Sequence, residues 1–141
     1  MKTTITTENA PAAVGAYNQA TMHGNTLYVS GQIAINPETN EMVKGSIEDE
    51  TNQVMKNLGA ILNAADMDFS NVLKCSVFVS DMEMYSRVNT VYASYFDAET
   101  APARELVQVA NLPKYVNVEI SCIAGKSVSY THLTLPTICS V

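Results

Sequence analysis

YNQATMHGNTLYVSGQIAI, residues 17–35, decides how the rest of the chain is read. Gly24-Asn25 is a two-residue turn of the Gly-X type, in which the glycine supplies the positive φ that joins two antiparallel strands. The second arm, TLYVSGQIAI, alternates well enough to be a half-buried strand. Gly31 interrupts it, and a glycine inside a strand marks a bulge or the close approach of another backbone or a ligand. The stretch therefore opens a sheet onto which the later segments must fit.

Working outward, PETNEM (37–42) reads as loop. Ser46 has the character of a helix N-cap, with Asp49 three positions on as a capping-box acid. Ile47, Val54, Leu58, Ile61, Leu62 and Ala65 then recur at helical spacing on one face, and DMDFSN (66–71) closes that helix. VLKCSVFVS (72–80) is β-rich, and its apolar character predicts a strand covered on both faces. Asp81 can cap a second helix, with a stripe of Tyr85, Val88, Tyr92, Tyr95 and Phe96. RELVQVA (104–110) and VNVEISCIA (116–124) read as two more strands around the turn-prone NLPKY. TTIT (3–6) can add one short strand at the N-terminus.

The order ββ–α–β–α–ββ predicts an α+β fold, a mixed sheet with two helices on one face. Two helices cannot cover both faces, so the bare face predicts self-association. No internal period marks a solenoid.

Composition narrows the function. The chain has 141 residues, one domain's worth, and hydrophobic residues make up 47% of it. Eight Lys and Arg stand against fourteen Asp and Glu, a net charge of −6, with no basic stripe. That balance disfavours phosphate backbones and predicts no nucleic-acid partner, although one well-placed arginine can still bind a small anion. The three cysteines, Cys75, Cys122 and Cys139, show no C-x-x-C spacing; a reducing cytosol fits best, and the expected location is cytoplasmic. No apolar run approaches the ~20 residues of a membrane span, and the first residues do not read as a signal peptide.

The final segment, SVSYTHLTLPTICSV (127–141), is rich in Ser and Thr and has no period. It reads as a foreign or read-through tail beyond a domain at 1–126; the alternative is an extra edge strand. Setting it aside removes His132 and Cys139, and leaves His23 as the one histidine.

The chemistry available is then limited. A single histidine without Cys or carboxylate companions makes a zinc site improbable, and the sequence contains no nucleophile elbow, P-loop or dinucleotide fingerprint. His23 sits at the hairpin turn, where solvation explains it. Four polar residues remain at unexpected places. Arg104 is one of only two arginines, with Arg87, and begins a strand; its fork of donors matches a carboxylate bidentately, or else it pairs with Glu105 or another surface acid. Glu119 lies among β-branched residues, where a carboxyl must pair or shift its pKa upward, unless its face is simply solvent. Tyr17 follows a glycine loop and is either a packed tyrosine or a hydrogen-bond donor to a ligand. Asn89 interrupts the second helix's stripe, or points to solvent.

The segments TENAPAAVGAYNQA, LYVSGQIAINPETNEMV, VFVSDMEMYSRVNTVYASYF, APAREL and VQVANLPKYVNVEISCIA resemble, in order, the reactive intermediate deaminase family (RidA, also called YjgF) over about residues 2–126. The resemblance implies a chorismate-mutase-like domain assembled as a homotrimer with ligand clefts between subunits. It implies hydrolysis of 2-enamine and 2-imine acids, such as 2-aminoacrylate and its imine, to 2-keto acids and ammonia, with no cofactor or metal. By position it implies Arg104, Glu119 and Tyr17 as catalytic residues: Arg104 clamping the substrate carboxylate, Glu119 beside the attacking water, Tyr17 in the cleft. Ser30, Gly31, Asn89 and the backbone N–H of Leu106 would line the substrate site. Ala16 stands where the family often has proline, and Glu105-Leu106 where it often has Ser-Cys, which removes any thiol there. Strand alternation sends Glu105 away from Arg104. A non-catalytic trimeric binder of 2-keto acids, or a regulatory interaction partner, is the alternative. RNA cleavage, also attached to the family, is disfavoured by the charge and by the lack of a histidine pair.

Overall fold

The computed structural model describes residues 1–127. In chain order the elements are β1 (Lys2–Ile5), β2 (Ala20–His23), β3 (Thr26–Gln32), β4 (Ile35–Asn36), β5 (Glu41–Met42), α1 (Ile47–Ala64), β6 (Val72–Val79), α2 (Tyr85–Ala93), β7 (Ala103–Gln108) and β8 (Val118–Gly125). The expectation about residues 127–141 lies, beyond Ser127, outside the described residues.

The last described strand, β8, is central in the sheet. Six strands pair in the order β1-β2-β3-β8-β6-β7. Every neighbouring pair is antiparallel except β6 and β7, which run parallel and are joined through α2. A parallel pair requires such a crossover. The mixed sheet, with α1 and α2 against one face, is the α+β arrangement that the element order predicts.

Alternation sets the two faces. Val118, Ile120, Cys122 and Ala124 of β8 are buried under the helices, and Leu27, Val29, Cys75, Val77 and Val79 join them. From the other side α1 contributes Val54, Met55, Leu58, Ile61 and Leu62, all essentially inaccessible. Each such side chain is worth roughly 1.5–3 kcal/mol of transfer free energy. Ser46 caps α1 as expected, its hydroxyl accepting from the Asp49 N–H at 3.0 Å. A bidentate pair, Arg87 to Glu48, ties α2 to the first turn of α1 and holds the Glu48 carboxyl down at about 2.

Three expectations need correction. VLKCSVFVS is covered on one face only: Leu73 is 57% exposed, because both helices lie on the opposite side. PETNEM is not all loop; Ile35–Asn36 and Glu41–Met42 form a small ladder closed by Asn40 at φ 62, too short for a period to show. Asp81 caps a 3-10 turn, Met82–Met84, accepting from the Glu83 N–H at 2.9 Å, and α2 proper starts only at Tyr85. The Gly24-Asn25 hairpin stands as read, with Gly24 at φ 61 and His23 exposed beside it.

Candidate active site

The residues singled out from the sequence divide between the two faces of the sheet. On the helix side is Arg104. It is the parallel register partner of the buried Cys75, and its side chain leans onto α2. Its Nη1 donates to Asn89 Oδ1 at 2.7 Å and its Nη2 to Tyr85 Oη at 3.1 Å. Its Cζ lies 5.0 Å from the centre of the Tyr92 ring and 5.7 Å from that of Tyr85, within the range of cation–π attraction. Tyr85, Asn89 and Tyr92 sit at i, i+4 and i+7, one face of α2. The sequence reading treats the two tyrosines as core stripe; the spacing was visible, the guanidinium resting on them was not.

Glu105 does not pair with Arg104. As alternation predicts, it points to the open face, where Lys74 Nζ lies 3.2 Å away and Ser76 Oγ donates at 2.6 Å, which keeps its carboxyl below the usual range. Among the described residues Arg104 forms no ion pair. Beneath it, Tyr92 is buried with its hydroxyl unpartnered against the Cys75 thiol, and burial raises the pKa of both groups. Leu106 shares Arg104's face. The Val109 N–H bonds to Val79 O across to β6, so by alternation the Leu106 N–H points away from β6, on the side where no described strand pairs with β7.

On the open face is Glu119. It lines a cleft of about 440 Å³ with Tyr17, Gly31, Gln32, Ile33 and Lys114. Burial raises its pKa, the upward shift expected of a carboxyl among apolar neighbours. Gly31 makes this possible: a Cβ there would overlap the Glu119 carboxylate and come within 2.8 Å of its Cδ. The β3–β8 register shifts between Val29 and Gln32, so Gly31 is at once a bulge and a close approach. Tyr17 is half exposed at the cleft wall, its hydroxyl accepting from the Val14 N–H at 3.5 Å. Ser30 is not among the residues that line the cleft; its hydroxyl donates to Asn18 O at 2.6 Å and ties down the Tyr17 loop.

Two supporting residues carried no sequence signal. Gln19 is buried, with its Nε2 near the carbonyls of Thr7, Ala10 and Pro11 and its Oε1 accepting from the Thr7 N–H at 2.7 Å. It thereby staples the loop that carries Tyr17. Asn57 of α1 donates to the carbonyls of Ile33 and Ile35 at 3.1 and 2.9 Å, fixing the cleft's floor. A polar residue inside an apolar stripe looks the same in sequence whether it faces water or holds a loop.

Thus Arg104 and Asn89 come together, as do Tyr17, Gly31 and Glu119, but within one chain the sets face opposite sides of the sheet. Among the described residues no cluster of three His, Cys, Asp or Glu could hold a metal ion, and no helix is long and apolar enough to cross a membrane.

Fold and geometry together define a two-layer α+β protein with a small cleft of mixed apolar and polar lining on its open sheet face, and an arginine on β7 that forms no ion pair among the described residues. Residues 7–126 match the family model described as Endoribonuclease L-PSP, and the chain belongs to this family, also known as YjgF/RidA. It is 49% identical over 126 residues to a RutC family protein of Pyrococcus horikoshii, covering 89% of this chain and 99% of that one. It is 47% identical over 120 residues to the 2-iminobutanoate/2-iminopropanoate deaminase of Rattus norvegicus, covering 85% and 87%. A crystallised Thermotoga maritima protein, described as a candidate endoribonuclease, superposes with a TM-score of 0.88 at 47% identity, covering 91% of this chain and all of that one.

Proposed function

We propose that this chain is a hydrolytic deaminase of reactive 2-enamine and 2-imine acids, releasing a 2-keto acid and ammonia, and that it works as a homotrimer with sites between subunits. The observation that carries the reading is the state of Arg104. In an acidic chain, one guanidinium is held in place by an amide oxygen, a phenol and two aromatic rings, with no carboxylate among its partners in the described residues. Preorganised but not neutralised, it suits the carboxylate of a small acid. The separation of Arg104 from Glu119 by the sheet supports an inter-subunit site, in which one copy supplies the clamp and another the cleft.

In the proposed reaction Arg104 fixes the substrate carboxylate and brings the imine carbon beside a water at Glu119. The Glu119 carboxylate takes a proton from that water as its oxygen bonds to the carbon; the C=N electron pair moves to nitrogen, which receives that proton from Glu119, leaving a carbinolamine and the carboxylate again. Glu119 then takes the carbinol O–H proton and passes it to the nitrogen; the C–N bond breaks as C=O forms and ammonia leaves. Water and imine thus give keto acid and ammonia. A carboxyl whose pKa lies above the usual value is better matched to both transfers near neutral pH. Tyr17 donates to the imine nitrogen or the developing oxygen, and the Leu106 N–H to the bound acid.

The test is an assay in which a pyridoxal-phosphate enzyme generates 2-iminopropanoate. Arg104→Ala and Glu119→Ala should each lose about 10²-fold or more in kcat/KM, and Arg104→Lys should not restore it, since a point charge cannot replace the fork. Full activity in both alanine variants would refute the assignment. The family's endoribonuclease description and a non-catalytic keto-acid binder are the other readings. The first calls for a salt-sensitive RNA complex, which net charge −6 opposes; the second calls for ligand binding without turnover.

A further inference from the structure

Tyr85 occupies a position that the reaction above does not use. It starts α2, is 39% exposed, and its oxygen accepts a hydrogen bond from Arg104 Nη2 at 3.1 Å. A phenol oxygen carries one proton of its own besides its acceptor lone pairs. Among the described residues no protein group accepts that proton. The guanidinium polarises the O–H, and a donor next to a charged donor is strengthened in a partly dry site. Asn89 and Tyr85 each occupy one terminal nitrogen's hydrogen, leaving the rest of the fork unengaged. An anion docked on that remaining edge would lie within reach of the phenol as well.

We propose that Tyr85 is a further ligand-binding residue, its hydroxyl donating to the same carboxylate that Arg104 clamps. This rests on Arg104 being the carboxylate clamp. The ligand class that fits is a small 2-keto or 2-imino acid, whose carboxylate offers acceptor lone pairs to both donors. Because a carboxylate keeps its charge throughout the reaction, the bond is equally strong in ground state and transition state, so it lowers KM and leaves kcat alone.

Tyr85→Phe is the informative variant, since it keeps the ring beside Arg104 and removes only the oxygen. Wild type, Tyr85→Phe and Arg104→Ala are titrated with pyruvate by calorimetry, and the first two assayed on 2-iminopropanoate, with melting curves alongside. In Tyr85→Phe the dissociation constant for pyruvate and the KM should both rise about tenfold, the usual worth of one hydrogen bond to a charged group, with kcat within about twofold and melting unchanged. If pyruvate binds Tyr85→Phe as well as wild type while Arg104→Ala fails to bind it, the clamp stands and Tyr85 has no place in it. A fall in kcat alone, or weaker binding accompanied by a lower melting point, also overturns the inference. Arg104→Ala binding pyruvate normally would remove the clamp and Tyr85's role together.

Discussion

The Glu119 carboxylate lies in the space that a side chain at residue 31 would occupy. The two belong to neighbouring strands, β3 and β8, at the point where their register slips. A carboxyl that forms no ion pair among the described residues is thus placed by an absence, the missing Cβ of Gly31, as much as by its own strand.

Gly31→Ala should therefore separate activity from stability. The atoms in the way belong to the free end of the Glu119 side chain, which can swing aside, so the variant should fold and melt near the wild type. The displaced carboxyl should reduce deaminase kcat by about 10²-fold, as misplacement by an ångström can. A Gly31→Ala protein with unaltered kcat would show that Glu119 need not be where the cleft holds it.

Glu119→Gln tests the raised pKa through stability. Burial disfavours the charged form, so the folded chain holds its proton to higher pH than the unfolded chain does. That contribution is fully present below the unfolded carboxyl's pKa and is lost as pH rises through the folded one. Relative to wild type, Glu119→Gln should melt progressively higher as pH rises from 4 to 7, with the gap closing in acid. A gap that widens toward low pH would mean Glu119 is stabilised as an anion.

Gln19→Leu should loosen the Tyr17 loop. It leaves the Thr7 N–H and the carbonyls of Ala10 and Pro11 without their buried partner, a loss of about 1–3 kcal/mol by denaturant titration. Hydrogen exchange should quicken at residues 7–19 before it does in α1. Uniform protection across both segments would argue against the staple.

Tyr28 is 49% exposed and Leu73 57%, both on the sheet face without helices. Size exclusion with light scattering should find the wild type associated at micromolar concentration. Tyr28→Glu, which would bury an unpaired charge in any contact over that face, should shift it toward monomer by about tenfold in concentration or more. A monomeric wild type would remove both the assembly and the shared site.

Local chemistry made much of this legible. Gly24-Asn25, the Ser46 cap, the stripe of α1 and the alternation of VNVEISCIA each depend on residues a few positions apart, and each appears in the fold. So does the division of Arg104 from Glu105, which needs only the two-residue period of a strand. Glu119's company of β-branched neighbours likewise foretold an upward shift, because that environment is written beside it in sequence.

What local chemistry could not decide was which distant segments meet. VLKCSVFVS carries the composition of a doubly covered strand, yet whether a second layer exists depends on where both helices land. Nothing near residue 120 announces that β8 enters between β3 and β6, and nothing near Tyr85 announces a guanidinium from β7. Periodicity assigns a side chain to a face; only the competition of long-range pairings for burial and hydrogen bonds decides which faces come together. Residues close together in the chain therefore specify the elements, their inward sides and the unusual placement of Arg104 and Glu119. Long-range packing is what makes Gly31 yield its space to Glu119, lets α2 cradle Arg104, and sets the sheet between the two.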